Sequence, residues 1–270
     1  MVNKVSHIVP QSSTVGFEAN GRAFPSSIIV DDWRNGVGFV QASCNPAKGW
    51  FNVCDVPAVA DKDFCSPSIV EFFPFPIFWG EECFGDDVVN DDLLARARQM
   101  LNASRSAVMA KEISDSIYSN SPSFADVAIP LNDAAVDLKT GISWLLDNRV
   151  RSGVGGKHKI HLPALLAPSA QELQIASNSL YDIVVDNYVK DYVPVNTMAD
   201  ATVPAVVGAN EAWVTVTGEY EYSFTNPEYV VAESLDAKRG NGRVVRFEQQ
   251  AIFRFDVCNV FAVKVRLVGC

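Results

Sequence analysis

Small and apolar side chains recur at helical spacing from Leu93 through Ala97, Met100, Leu101, Ser104 and Ala107 to Val108. Asn90 or Asp91 can cap this run, and Asp91 and Asp92 suit the positive end of a helix dipole. The pattern predicts a helix from Asn90 to about Tyr118, with Arg96, Arg98 and Arg105 mostly off the apolar stripe. A rod of that length is about 42 Å long and would span most of a compact chain of this size, so an elongated molecule is expected. A second helix is predicted from Asn132 to about Arg151, with Val136 or Ala135, Leu138, Ile142, Leu145 and Leu146 inward; Gly153, Gly155 and Gly156 end it. A strand at Lys157–Leu162, a helix from about Pro168 to Tyr181 and extended runs at Ile183–Val195 and Ala212–Phe224 follow. The C-terminal part reads as strands, Arg243–Val257 and Val260–Val268, in which Phe261, Val263, Val265 and Leu267 alternate with other residues.

The first 90 residues read differently. Asn20-Gly21, Asn35-Gly36, Pro46, Lys48-Gly49, Pro57 and Pro67 punctuate them with turns, so a long arm or extended hairpin is expected. Phe72, Phe73, Phe75, Phe78 and Trp79 crowd a stretch broken by Pro74 and Pro76, which proline keeps out of a central strand. So many aromatics in water would form a sticky patch; they must pack on this chain's own core or on a neighbour.

Composition narrows the function classes. The 270 residues carry 32 acidic and 22 basic side chains, a net charge of −10, with 48% hydrophobic residues. Disorder, collagen-like repeats and a miniature disulfide scaffold are excluded. The charge is −6 over residues 1–90, −1 over 91–151, −5 over 152–224 and +2 over 225–270. That balance argues against sequence-specific nucleic-acid binding, which needs a basic face. No stretch approaches the roughly 20 apolar residues of a membrane helix, and Met1–Pro10 has no apolar block of a secretory signal. The six cysteines form no CxxC pair, so reduced thiols are expected. Cys44, Cys54 and Cys65 are too widely spaced, with no nearby His, to suggest zinc.

Candidate chemistry is sparse. Ser152-Gly153-Val154-Gly155-Gly156-Lys157-His158 lacks the spacer and the Ser/Thr of a phosphate loop, and follows a helix where a strand is required. His158 and His161 lie on opposite faces of a strand and cannot share a metal, which leaves them structural. The pairs Glu81-Glu82, Asp86-Asp87 and Asp91-Asp92 read as caps and solvated charge. No nucleophile elbow or HExxH motif is present. No catalytic residue, cofactor or metal site is expected.

Four stretches carry a resemblance: Leu94-Ala95-Arg96-Ala97-Arg98 leading through Ala107 to Glu112, Gly155–Pro163, Ala212–Gly218 and Val245–Leu267. In these, and in the order of its elements, the chain resembles major capsid proteins of tailed bacteriophages with the Hong Kong 97-type fold, particularly those of phages infecting actinobacteria. The resemblance implies an α+β fold: N-terminal arm and extended loop over 1–89, peripheral domain with a spine helix over 90–151, axial domain over 152–224, and peripheral C-terminal strands over 225–270. It implies a shell subunit that forms hexamers and pentamers of an icosahedral head around double-stranded DNA, assembled in the host cytoplasm. The DNA would be held by non-specific contact, with portal and decoration proteins as further partners and no membrane. No long scaffolding segment precedes the arm, so a separate scaffolding protein or none is implied; no Lys–Asn crosslinking pair can be matched. Trp33, Trp50, Phe72, Phe73 and Phe75 are candidate apolar anchors between subunits, and Arg96, Arg98 and Arg105 would face the lumen or pair with acidic neighbours. The alternatives are an encapsulin-like shell, a minor head or tail protein, or a cytosolic hydrolase with a carboxylate site.

Overall fold

A computed structural model describes residues 22–23, 37–41, 68–84, 90–153, 156–175, 177–187, 208, 210–236 and 240–267. Among these are twelve strands: β1 (Arg22–Ala23), β2 (Val37–Gln41), β3 (Ser68–Phe72), β4 (Phe75–Phe84), β5 (Ile129–Pro130), β6 (His158–Pro163), β7 (Tyr181–Asn187), β8 (Glu211–Thr217), β9 (Tyr220–Phe224), β10 (Glu228–Asp236), β11 (Gly240–Phe255) and β12 (Phe261–Arg266). Four α-helices accompany them: α1 (Asn90–Asp115), α2 (Phe124–Val127), α3 (Leu138–Arg151) and α4 (Ala167–Glu172). Helices and sheets are thus mixed in one α+β chain.

The helix predicted at Asn90 forms and ends at Asp115. Its buried apolar side chains are Leu93, Ala97, Leu101, Met109, Ala110 and Ile113, so the predicted stripe holds only at the start; Met100, Ser104, Ala107 and Val108 are half-buried. Burial instead recurs mainly every four residues. At 100° per residue each such step turns about 40°, so the buried line rotates about 200° between Leu93 and Ile113. The helix accordingly meets β4 and β11, then α2 and β7, in place of a single flat sheet.

In its last turn, Glu112 is fully buried, and its carboxylate accepts hydrogen bonds from the amides of Tyr118 (2.7 Å) and Ser119 (2.8 Å) beyond the helix end. Two backbone donors thereby satisfy a charge that would otherwise be costly to bury. Ser121 continues the tie: its Oγ accepts from the Phe73 amide (2.8 Å) and donates to the Phe73 carbonyl (3.1 Å), clamping the turn between β3 and β4.

The second helix begins six residues later than the pattern predicts. Asp137 is its cap, accepting from the Thr140 amide at 2.9 Å, and residues before it make a bridge to the sheet at Val136–Val265. The helix predicted at 168–181 shortens to a 3₁₀ turn and α4. Gln174 adopts φ 56° and Asn178 turns the chain into β7 by accepting from the Leu180 and Tyr181 amides at 2.8 and 3.0 Å. The extended run Ala212–Phe224 is two strands, β8 and β9, and β10 was not foreseen. The aromatic stretch is also ordered strand: β4 contains Pro76, and among the described residues it pairs only with β11, the edge position proline tolerates.

Two five-stranded sheets organise the chain. In the first, β11 carries β4 antiparallel along one edge, and β10 followed by β9 along the other. β1 adds in parallel beside β9. The second has the order β5-β12-β8-β6-β7. Strands β2 and β3 form a separate pair. Helix α3 covers the second sheet through Leu138, Ile142 and Leu145. Its Gly141 lies so close to β12 that an added Cβ would stand 2.8 Å from Val265 Cγ1 and 3.1 Å from Val263 Cγ1.

Cys258 corrects one expectation: this buried thiol, in the turn between β11 and β12, is disulfide-bonded. The absence of a secretory signal had argued for reduced cysteines; the other five lie outside the residues whose side chains are described.

Candidate functional site

The predicted residues separate into three groups. Trp33 and Trp50 lie outside the described residues. Phe72 and Phe75 are 1% and 0% exposed, which leaves no area for a neighbouring subunit and corrects their reading as anchors. They join an aromatic cluster with Phe253, Phe255 and Phe124: Phe72 meets Phe253 and Phe255 edge-on, both at 5.8 Å between centroids, and Phe124 meets Phe255 at 5.2 Å. Pro74 sits in the two-residue break between Phe72 at the end of β3 and Phe75 at the start of β4, and both rings enter one core. Phe73 is half-buried, held by its backbone to Ser121.

Of the arginines, Arg96 is exposed and paired with Glu81 of β4, its Nε 2.7 Å from Oε2. Arg98 is exposed on α1. Arg105 is half-buried on the rotating inner line, with its guanidinium 4.8 Å from the Phe224 ring centroid, a cation–π contact. Such a contact lets a charge occupy an inward helical position.

Where the two sheets meet, several polar groups are buried; most are hydrogen-bonded, while Arg149 Nε and His158 Nδ1 have no partner. His161 packs against Phe124 (4.7 Å) and Tyr220 (5.7 Å). Its Nε2 lies 2.9 Å from Thr217 Oγ1, which itself donates to the Gly218 carbonyl, so Nε2 carries the proton. Burial, aided by Lys159, lowers the His161 pKa to about 3. His158 is lowered too, by burial and then by Arg149. Arg149 is 0% exposed and donates to the carbonyls of Cys258 and Asn259, both at 2.7 Å, with Asp256 at 3.5 Å. Lys159 reaches Asp182 at 2.7 Å; burial raises the Asp182 pKa, but hydrogen bonds from Lys157 and Lys159 outweigh it and hold the carboxyl below its usual range. The Lys159–Asp182 and His161–Thr217 pairs lie within the second sheet, Arg149 ties α3 to the turn joining β11 to β12, and the His161–Tyr220 contact reaches the first sheet. No cluster of three or more His, Cys, Asp or Glu able to hold a metal occurs among the described residues.

The feature that pattern reading missed is an exposed apolar ribbon. On β10, Tyr229, Val230 and Val231 are 61%, 52% and 39% exposed, and Phe78 on β4 is 63% exposed. All lie on the β10–β11–β4 part of the first sheet, where Phe78 pairs with Glu248 and Val230 with Arg246. A groove of about 410 Å³ borders it, lined by Pro74, Val230, Arg246, Glu248 and Gln249 among others. The signal was present: Tyr229-Val230-Val231 is a β-prone run that follows the Asn226-Pro227 break.

No protein-family model and no curated protein matches the chain. Solved structures do. The capsid of an empty GTA particle aligns at TM-score 0.54, with 10% identity over 94% of this chain and 90% of that one. The acid-stable capsid of Helicobacter pylori bacteriophage KHP30 aligns at 0.53, with 10% identity over 99% and 94%. A chain of Gordonia phage Cozz aligns at 0.50, with 13% identity over 92% and 85%. The chain has the fold of these capsid proteins, and the α+β expectation is met.

Proposed function

We propose that this chain is a major capsid protein, a structural subunit that associates with copies of itself into the hexamers and pentamers of an icosahedral phage head. The observation that carries this reading is the extent of the likeness: the KHP30 capsid chain aligns over 99% of this chain and 94% of its own length. The exposed ribbon supports it, because association is the ordinary fate of such a surface.

In this reading the work is association, not catalysis. α1 serves as the spine of a peripheral domain with the C-terminal strands, residues 152–224 form the axial domain, and residues 1–89 supply the arm and extended loop. Contacts between different patches close rings, and reaching segments enlarge the buried area. Arg98 pairs with acidic neighbours or faces the packaged DNA, which is held without sequence preference. A separate scaffolding protein or none, a portal and decoration proteins complete the assembly in this reading, and the virion is the destination.

Negative-stain electron microscopy of the chain expressed alone tests this. Closed shells, tubes or hexamer rings are expected, with DNA rather than cargo protein inside particles recovered from infected cells. A single-chain particle at every concentration counts against the reading.

A further inference from the structure

A two-stranded band joins the two sheets. Strands β8 and β12 pair antiparallel in the second sheet, from Glu211–Arg266 to Val216–Phe261. The same two chain segments pair again in the first sheet, as β9 and β11, starting at Tyr220–Phe255. Between these ladders three residues, 217–219, face five, 256–260, so the longer side carries two surplus residues. Surplus residues bend a strand and take its carbonyls out of the ladder. Here the longer side includes Asn259 in the left-handed region, at φ 57°.

One side chain reaches both strands at this bend. Arg149 Nη1 donates to the carbonyls of Cys258 and Asn259 on the longer side, both at 2.7 Å. A Cβ added to Gly218 on the shorter side would stand 2.8 Å from Arg149 Nη2, so the guanidinium lies against that strand too. Arg149 is fully buried, and its Nε has no hydrogen-bond partner. The carboxylate of Asp256, 34% exposed, is 3.5 Å away. Burying a cation on these terms costs stability that an apolar side chain of the same length would not. What the arginine supplies in return is direction. The apolar core common to the sheets, with Trp213 and Ala262 beside Phe253 and Tyr220, attracts without fixing an angle. A planar guanidinium bonded to two successive carbonyls fixes one.

We propose, resting on the shell-subunit reading, that Arg149 is a positioning residue for assembly: it pins the bend and so sets the angle between the two sheets. A ring or shell closes only when each copy holds its contact patches at the right angle to one another. With the pin removed, the carbonyls of Cys258 and Asn259 lose their donor, the five-residue side takes other turns, and the sheets swing.

The test attaches nitroxide labels to p-acetylphenylalanine at positions 78 and 266, exposed sites on β4 and β12, one in each sheet. Electron double resonance then reads their separation in the full chain, diluted with unlabelled copies. The parent should give one narrow distance, and Arg149→Met a distribution at least about twice as wide. Arg149→Lys, which keeps a donor, should fall between them. Gly218→Ala keeps the arginine but displaces it and should widen the distribution too; it carries the test if Arg149→Met does not fold. Leu101→Ala opens a cavity beneath α1 without touching the guanidinium and should leave the width unchanged. Parental widths in the two pin variants, or equal widening by Leu101→Ala, overturn the inference. Closed shells should be lost from both pin variants in electron micrographs; normal shells from a widened chain also overturn it. A parent chain that never assembles overturns the shell-subunit reading instead, while the distances still judge the bend.

Discussion

The two large sheets treat their apolar residues in opposite ways. In the β5-β12-β8-β6-β7 sheet, every residue of β8 from Ala212 to Thr217 is buried, and both faces are covered by this chain. In the β10–β11–β4 ribbon, Phe78, Tyr229 and Val230 are more than half exposed. One sheet is covered on both faces by its own chain; the other leaves apolar side chains at the surface. In the proposed shell subunit, buried area belongs to the fold in the first case and to association in the second.

Substitutions can break that contrast, and the largest effects should fall at the aromatic cluster. Phe72→Ala empties a site touching Phe253 and Phe255; a loss of about 3–5 kcal/mol is expected in denaturant melts of the unassembled chain. Gly141→Ala comes next, since its methyl would collide with Val263 and Val265. Overpacking of this kind costs about 1–3 kcal/mol, visible as a lower melting temperature.

Acidification sharpens the same contrast. His161 has a folded pKa of about 3 against its ordinary value of 6.5, so the unfolded chain takes up a proton that the folded chain refuses. The stabilisation is complete above about pH 6.5 and falls by roughly 1.4 kcal/mol per pH unit on the way toward pH 3. His161→Gln should flatten that part of the stability–pH curve; an unchanged slope would place the loss in the carboxylates alone. Phe78→Ser should be the quietest change, within about 0.5 kcal/mol for the single chain, yet it should weaken assembly measured by sedimentation. Equal effects on both quantities would erase the distinction between the regions.

Much of the fold was legible because hydrophobic period reports local structure. The start of α1, the end of α3 and the alternation through β12 all follow from it. What escaped depends on distant partners. Nothing near Glu112 in the sequence announces that it caps a turn six residues on, and Arg105 reads as solvated until Phe224 is beneath it. The α3 start was misplaced because Asn132 and Asp137 are both credible caps; Asn132 instead bonds the β12 backbone at Lys264. The surface reading failed where it equated aromatic content with contact. Phe72 and Phe75 are internal, whereas the outward ribbon is mainly Val and Tyr on a strand that pattern reading had not recognised.

Strand β11 has a mechanical consequence. Its 16 residues run without interruption from the exposed ribbon into the aromatic cluster, flanked by β4 on one side and by β10 then β9 on the other. Antiparallel hydrogen bonds stand perpendicular to the strand. A pull along the strand from the ribbon end therefore loads them in shear, many at once, where a sideways pull would peel them singly. The strand is thus a tie rod, carrying tension applied at the exposed ribbon into the aromatic interior.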